Sequence, residues 1–214
     1  MILKFLKSTI KNNNLIYNFY FKYFYEFYHE TNNTLKYFID KKKNPPPDWL
    51  KHKVILENSF SNSTFIETGT FRGSTLFPVR NKFKKIYSFE PSKKFYTFSK
   101  IKLKKFTNIK ILNKTSEDGL SILLKKIQGN VTFWLDGHYS GGETFQGDSK
   151  TPIKYELDTI SKFIKNFKNL IIMVDDYRLF GVKPYPPKKY LINFCKKHGY
   201  SYKVECDIFI INSK

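Results

Sequence analysis

Acidic residues stand at the ends of four short apolar runs in this chain, with glycines beside three of them. Glu67 closes TFIE (64–67) and is followed by Gly69 and Gly73 within FIETGTFRGST (65–75). Glu90 closes KIYSFE (85–90), and Asp136 closes VTFWLD (131–136) before Gly137, His138 and glycines 141 and 142. Asp175 and Asp176 close LIIMVDD (170–176), with Gly181 a few residues on. Gly69 permits a sharp turn and the close approach of a ligand, Gly73 lets a helix begin next to it, and Ser74 can cap that helix. Glu90, twenty-one residues beyond Gly69, can accept hydrogen bonds from ribose hydroxyls. A Gly-rich first turn paired with a second-strand acid points to a cofactor that carries a nucleoside.

The elements that would hold these residues alternate in type. Strand-length apolar runs at 64–67, 85–90, 108–112, 131–136 and 170–176 are separated by helical spacing at 74–82, 92–104, 116–127 and 152–165. Continuous apolar strands alternating with helices predict a parallel sheet covered on both faces. After a helix at about 187–198, GYSYKVE and CDIFIINS follow with almost nothing between them, which permits only a hairpin. The predicted fold is Rossmann-like α/β: a doubly wound sheet, mostly parallel, closed by an antiparallel hairpin. Upstream, KKKNPPPD (41–48) breaks the chain, because three prolines cannot continue a helix. It divides an N-terminal helical extension (1–48) from the main domain (49–214).

Two cofactor classes compete for the first turn. A dinucleotide pyrophosphate needs the tighter G-x-G-x-x-G turn at a helix start, and Thr70 stands where that pattern has its second glycine. Glu67 would repel a pyrophosphate but suits a cationic amino group. S-adenosylmethionine has that group, a ribose and no phosphate.

With ETGTFRGST and the later VDDYRLFG, the chain resembles class I S-adenosylmethionine-dependent methyltransferases, and more narrowly the macrocin O-methyltransferase family of sugar-modifying enzymes. LDGHYSGGET…TPIKYEL is similar to a stretch of small bacterial methyltransferases of the same broad type. The likeness spans roughly residues 49–212. It implies a cofactor contact set of Glu67, Thr68, Gly69, Thr70, Gly73, Ser74, Glu90, Ser116 and Asp136. It departs at Asn113-Lys114-Thr115-Ser116, where such enzymes often carry an acid before the serine near adenine. The class I strand order makes the fourth and fifth strands neighbours, which brings Asp136, Asp175 and Asp176 to one sheet edge. Three carboxylates together require a cation among them, and oxygen ligands suit Mg²⁺. In the macrocin-type enzymes the matching acids are metal ligands, so the resemblance implies a metal site at these three residues. A metal bound to vicinal hydroxyls would lower their pKa and orient them. Asp136 then joins catalysis, His138 is placed to take the acceptor's proton or else is a turn histidine, and 137–151 reads as a lid. Tyr177 and Arg178 follow the acid pair within reach of substrate.

Composition bounds the partners. The net charge of +20 invites a nucleic-acid reading, but only three of the 38 basic residues are Arg, namely Arg72, Arg80 and Arg178, and the chain has no alanine. That skew follows AT-rich codon usage, and Arg is the preferred residue for phosphate and guanine. A small-molecule or glycan acceptor is therefore expected over a nucleic acid. Cys195 and Cys206 form no metal or disulfide pattern, which indicates a reduced, cytoplasmic setting. In LIYNFYFKYFYEFY (15–28), Asn18, Lys22 and Glu26 draw one polar stripe along an aromatic helix. It is too short and too charged to span a bilayer, so the aromatic face needs the domain, a second copy of the chain or a membrane surface to cover it. The rival readings are an NAD-linked oxidoreductase and a basic binding module with an idle cofactor fold.

Overall fold

The computed structural model describes residues 26–40, 45–137 and 151–213. The chain divides into two compact units, residues 1–50 and 51–214. In the first, helix α1 (Glu26–Ile39) receives a hydrogen bond from the Trp49 indole Nε1 on Thr34 Oγ1 at 3.0 Å. The expected aromatic helix at 15–28 lies outside the described residues except for its last three, which open α1. Helix α2 (Asp48–Asn58) runs through the unit boundary.

The second unit is one seven-stranded sheet. Its strands are β1 (Thr64–Thr68), β2 (Lys85–Phe89), β3 (Ile109–Leu112), β4 (Gly129–Leu135), β5 (Phe167–Val174), β6 (Ser201–Glu205) and β7 (Ile208–Asn212). The order is β3-β2-β1-β4-β5-β7-β6. The first five strands pair in parallel, and β7 joins β5 and β6 antiparallel. The connecting helices are α3 (Leu76–Val79), α4 (Lys93–Lys102), α5 (Ser116–Leu124), α6 (Ile153–Phe163) and α7 (Lys188–His198). The fold is the doubly wound sheet with a terminal hairpin that the sequence predicts.

Alternate side chains of each strand feed opposite faces. Ile66, Val131, Phe133, Leu135, Ile172 and Phe209 pack with Leu120 and Leu124 of α5, Leu157 and Ile160 of α6, and Leu191 of α7. On the other face, Phe65, Ile86, Trp134, Met173 and Ile210 pack with Val54 and Ile55 of α2, Leu76 of α3 and Leu103. Both faces are covered, so the strands carry apolar runs and not strict alternation.

One helix is shorter than expected. The 74–82 segment forms only the four residues of α3, because Pro78 lacks the N–H that a longer ladder needs. Its cap position is Thr75, with no side-chain capping bond, so Ser74 does not serve as the expected cap.

Candidate active site

The parallel register sets the acids in a row. Thr68 pairs with Phe89 and with Leu135, and Leu135 pairs with Val174. The next residue of each strand therefore stands side by side: Glu90, Gly69, Asp136, Asp175. This is the carboxyl edge, and the order reverses between β1 and β4, the switch point at which open α/β sheets bind ligands.

The β1–β2 half forms a closed acidic cradle. Glu67 is 1% exposed; its carboxylate accepts from the Ser88 hydroxyl, which is also bonded to the Thr70 hydroxyl. Burial is the main cause that pushes the Glu67 carboxyl up to about 8, against the pull of the Ser88 and Thr75 hydroxyls. Glu90 accepts from the backbone N–H of Phe71 at 2.6 Å and of Ser92 at 2.9 Å. Burial raises its carboxyl to about 7. Gly69 has φ +89°, and a Cβ there would lie 2.5 Å from the Asp136 carbonyl oxygen, so no side chain is tolerated. At Gly73 (φ +68°) a Cβ would meet the Leu103 side chain at 3.0 Å. Thr68 Oγ1 accepts from the Asp136 N–H at 3.3 Å, which ties the first turn to the end of β4. Ser116 is buried in the first turn of α5, where Thr115 is the cap.

The β4–β5 half differs from expectation. A cation does sit among the acids, and it is an ammonium. Lys51 Nζ donates to Asp175 Oδ2 at 2.6 Å and lies 3.7 Å from Asp176 Oδ1. Burial opposes its charge, but Asp175, Asp136 and Asp176 outweigh burial and hold it well above the ordinary lysine range. Asp175 is pushed up by burial against the pull of Lys51. Asp176 has left-handed backbone, φ 53°, and receives Arg178 Nη1 at 2.6 Å; the same guanidinium is bonded to Asp207. Arg178, expected near substrate, is thus engaged by two acids. Among the described residues no group of three or more His, Cys, Asp or Glu side chains could hold a metal ion. The set Asp136, Asp175 and Asp176 does not fit Mg²⁺, since Lys51 and Arg178 already take two of its carboxylates. His138 and most of the expected lid lie outside the described residues.

Sequence reasoning missed four participants: Lys51, Ser88, Glu156 and Tyr185. Two left a signal. Glu156 shares the buried stripe of α6 with Ile153, Leu157 and Ile160, and Lys51 precedes buried Val54 and Ile55 at helical spacing. A charge on an apolar helix face must find a partner or a task. Leu135, Asp136, Gly137, Pro152, Glu156, Asp175, Phe180 and Tyr185 line one cleft beside the acid row. Burial and the nearby acids push the Tyr185 hydroxyl upward, which keeps it protonated.

No family model matches the chain, and no curated protein matches it. Solved structures do share its fold. N-methyltransferase NodS from Bradyrhizobium japonicum is 10% identical, with 77% of this chain and 94% of that one covered at a TM-score of 0.54. A proposed rRNA methylase from Clostridium thermocellum is 14% identical, with 76% and 93% covered at 0.50. A proposed Streptococcus mutans methyltransferase, solved with S-adenosylhomocysteine, is 19% identical, with 78% and 96% covered at 0.49. The fold is that of class I methyltransferases.

Proposed function

We infer that this chain is an S-adenosylmethionine-dependent methyltransferase acting on a hydroxyl of a sugar or other small polar acceptor. The observation that carries the cofactor is the cradle around Gly69. Two buried acids, Glu67 and Glu90, flank a backbone turn that leaves no room for a Cβ. A buried carboxylate held above its usual range is relieved by a cation, which the amino group of this cofactor supplies. Glu90 matches the vicinal ribose hydroxyls, while a pyrophosphate would meet two carboxylates. Bound there, the cofactor supplies an electrophilic methyl: its C–S bond breaks, a C–O bond forms, and the sulfur keeps the electron pair as a neutral thioether.

The acceptor reading rests on the other half of the row. Asp136, Glu156 and Asp175 face one cleft, and carboxylates take up hydroxyl donors and repel phosphates. The protein must align the acceptor oxygen and manage its proton. Calorimetry with S-adenosylmethionine, S-adenosylhomocysteine and NAD tests the cofactor. Binding of the first two and not of NAD is expected. Binding of NAD alone would replace this reading with a dehydrogenase.

A further inference from the structure

We propose that Glu156 is the proton acceptor of the reaction, contacting the acceptor hydroxyl directly from the helix wall of the cleft. The proposal rests on the methyltransferase reading above and deepens it.

Geometry singles out this residue. Glu156 is 1% exposed, yet it sits one turn into α6 on a stripe otherwise built of Ile153, Leu157 and Ile160. The hydroxyls of Ser116 and Thr68 stand close enough to pull on the carboxyl. Its Oε1 is buried and has no hydrogen-bond partner among the described residues. It lines the cleft beside Gly137, where even a Cβ would come to 3.3 Å of it. A buried acceptor left unmade costs free energy comparable to a lost hydrogen bond, so it persists where an incoming donor completes it. The acceptor hydroxyl is such a donor.

Two other polar groups that line the cleft are less suited. Asp175 is tied to Lys51, and the Tyr185 hydroxyl, pushed upward by burial and the nearby acids, is a donor at neutral pH. Burial, the largest cause, brings its carboxyl to about 7 against the pull of Ser116 and Thr68, and among the described residues the charges that add to this are Glu117 of α5 and Asp136 at the end of β4, both acidic. A carboxyl raised toward neutrality suits general-base catalysis at neutral pH. The step balances: the acceptor O–H proton passes to Glu156 Oε1 as the oxygen's electron pair bonds the methyl carbon, and the carboxylic acid then returns the proton to water.

The test uses the full chain with Glu156→Gln, which keeps shape and an oxygen for Ser116 and Thr68. Methyl pyranosides of gluco, galacto, manno and rhamno configuration serve as probes, with isotope-labelled S-adenosylmethionine. Expected are unchanged S-adenosylhomocysteine affinity and a fall in transfer of roughly 10²- to 10⁴-fold. The wild-type rate should rise with pH through about 7, and the variant should lose that limb. On the wild type, ¹³C resonances of labelled glutamate carboxyls give a readout independent of turnover: the Glu156 signal should titrate near 7 and shift when a pyranoside is added. A variant at full rate, or a Glu156 signal that ignores every probe, overturns the proposal. Transfer to no pyranoside by wild type that binds S-adenosylhomocysteine also overturns it. Failure to bind S-adenosylhomocysteine at all would instead overturn the methyltransferase reading.

Discussion

Lys51 replaces an ion that the acid row calls for. Its side chain is 13% exposed, and its ammonium lies within contact of Asp175 and near Asp176. A compact point charge with three donors can satisfy acids that would otherwise repel one another. Breaking a buried pair by removing one partner costs about 3–5 kcal/mol, because the survivor is left charged and unpaired. Lys51→Met is therefore expected to lower stability by about that amount in denaturant melts, with Lys51→Met/Asp175→Asn recovering most of it. Excess chelator should leave the melting temperature and S-adenosylhomocysteine affinity of the wild type unchanged. A melting temperature that falls in chelator would show that a metal and not Lys51 balances these acids.

At the scale of elements, the close approach of α5 to β2 depends on one missing methyl group. Gly119 lies inside α5, where glycine is disfavoured by roughly 1 kcal/mol against alanine. A Cβ there would lie 2.4 Å from Phe89 Cε1, and Phe89 is itself buried immediately before Glu90. Gly119→Ala should thus destabilise the protein by about 1–3 kcal/mol, the usual cost of overpacking, despite the gain in helix propensity. Adding Phe89→Leu should restore part of the loss. Guanidinium unfolding of the two variants checks both steps, and a stabilised Gly119→Ala would show that α5 stands further from the sheet.

For the whole molecule, the buried acids set a pH dependence. Glu67, Glu90 and Glu156 are all raised from 4.5, to about 8, 7 and 7. Between 4.5 and those values the folded chain binds more protons than the unfolded chain, so stability falls as pH rises. The cofactor-free protein is expected to melt highest near pH 5 and progressively lower toward pH 8, with high salt present to screen the net charge. S-adenosylhomocysteine should flatten the slope, because its amino group favours ionised Glu67. Thermal melts across that range, with and without the ligand, give the sign directly; stability rising from pH 5 to 8 in the free protein would contradict it.

The sequence by itself determined the sheet, its hairpin and the glycine turn after β1, since these are written in local patterns. Apolar runs of strand length, helical spacing between them, and a two-strand tail with no room for a crossover leave few topologies. Gly69 and Glu90 were legible because a turn and a strand end are local events. The acid row was legible only in outline: its members could be listed, but the cation among them could not be named from the list. Lys51 stands 124 residues before Asp175, and only the packing of α2 against the sheet brings them together. Glu156 was hidden for the same reason, because a carboxylate on an apolar helix stripe shows its purpose only when the cleft it lines has formed. Local spacing encodes elements, whereas the partner of a buried charge is decided by which distant faces meet, and that is a property of the tertiary structure alone.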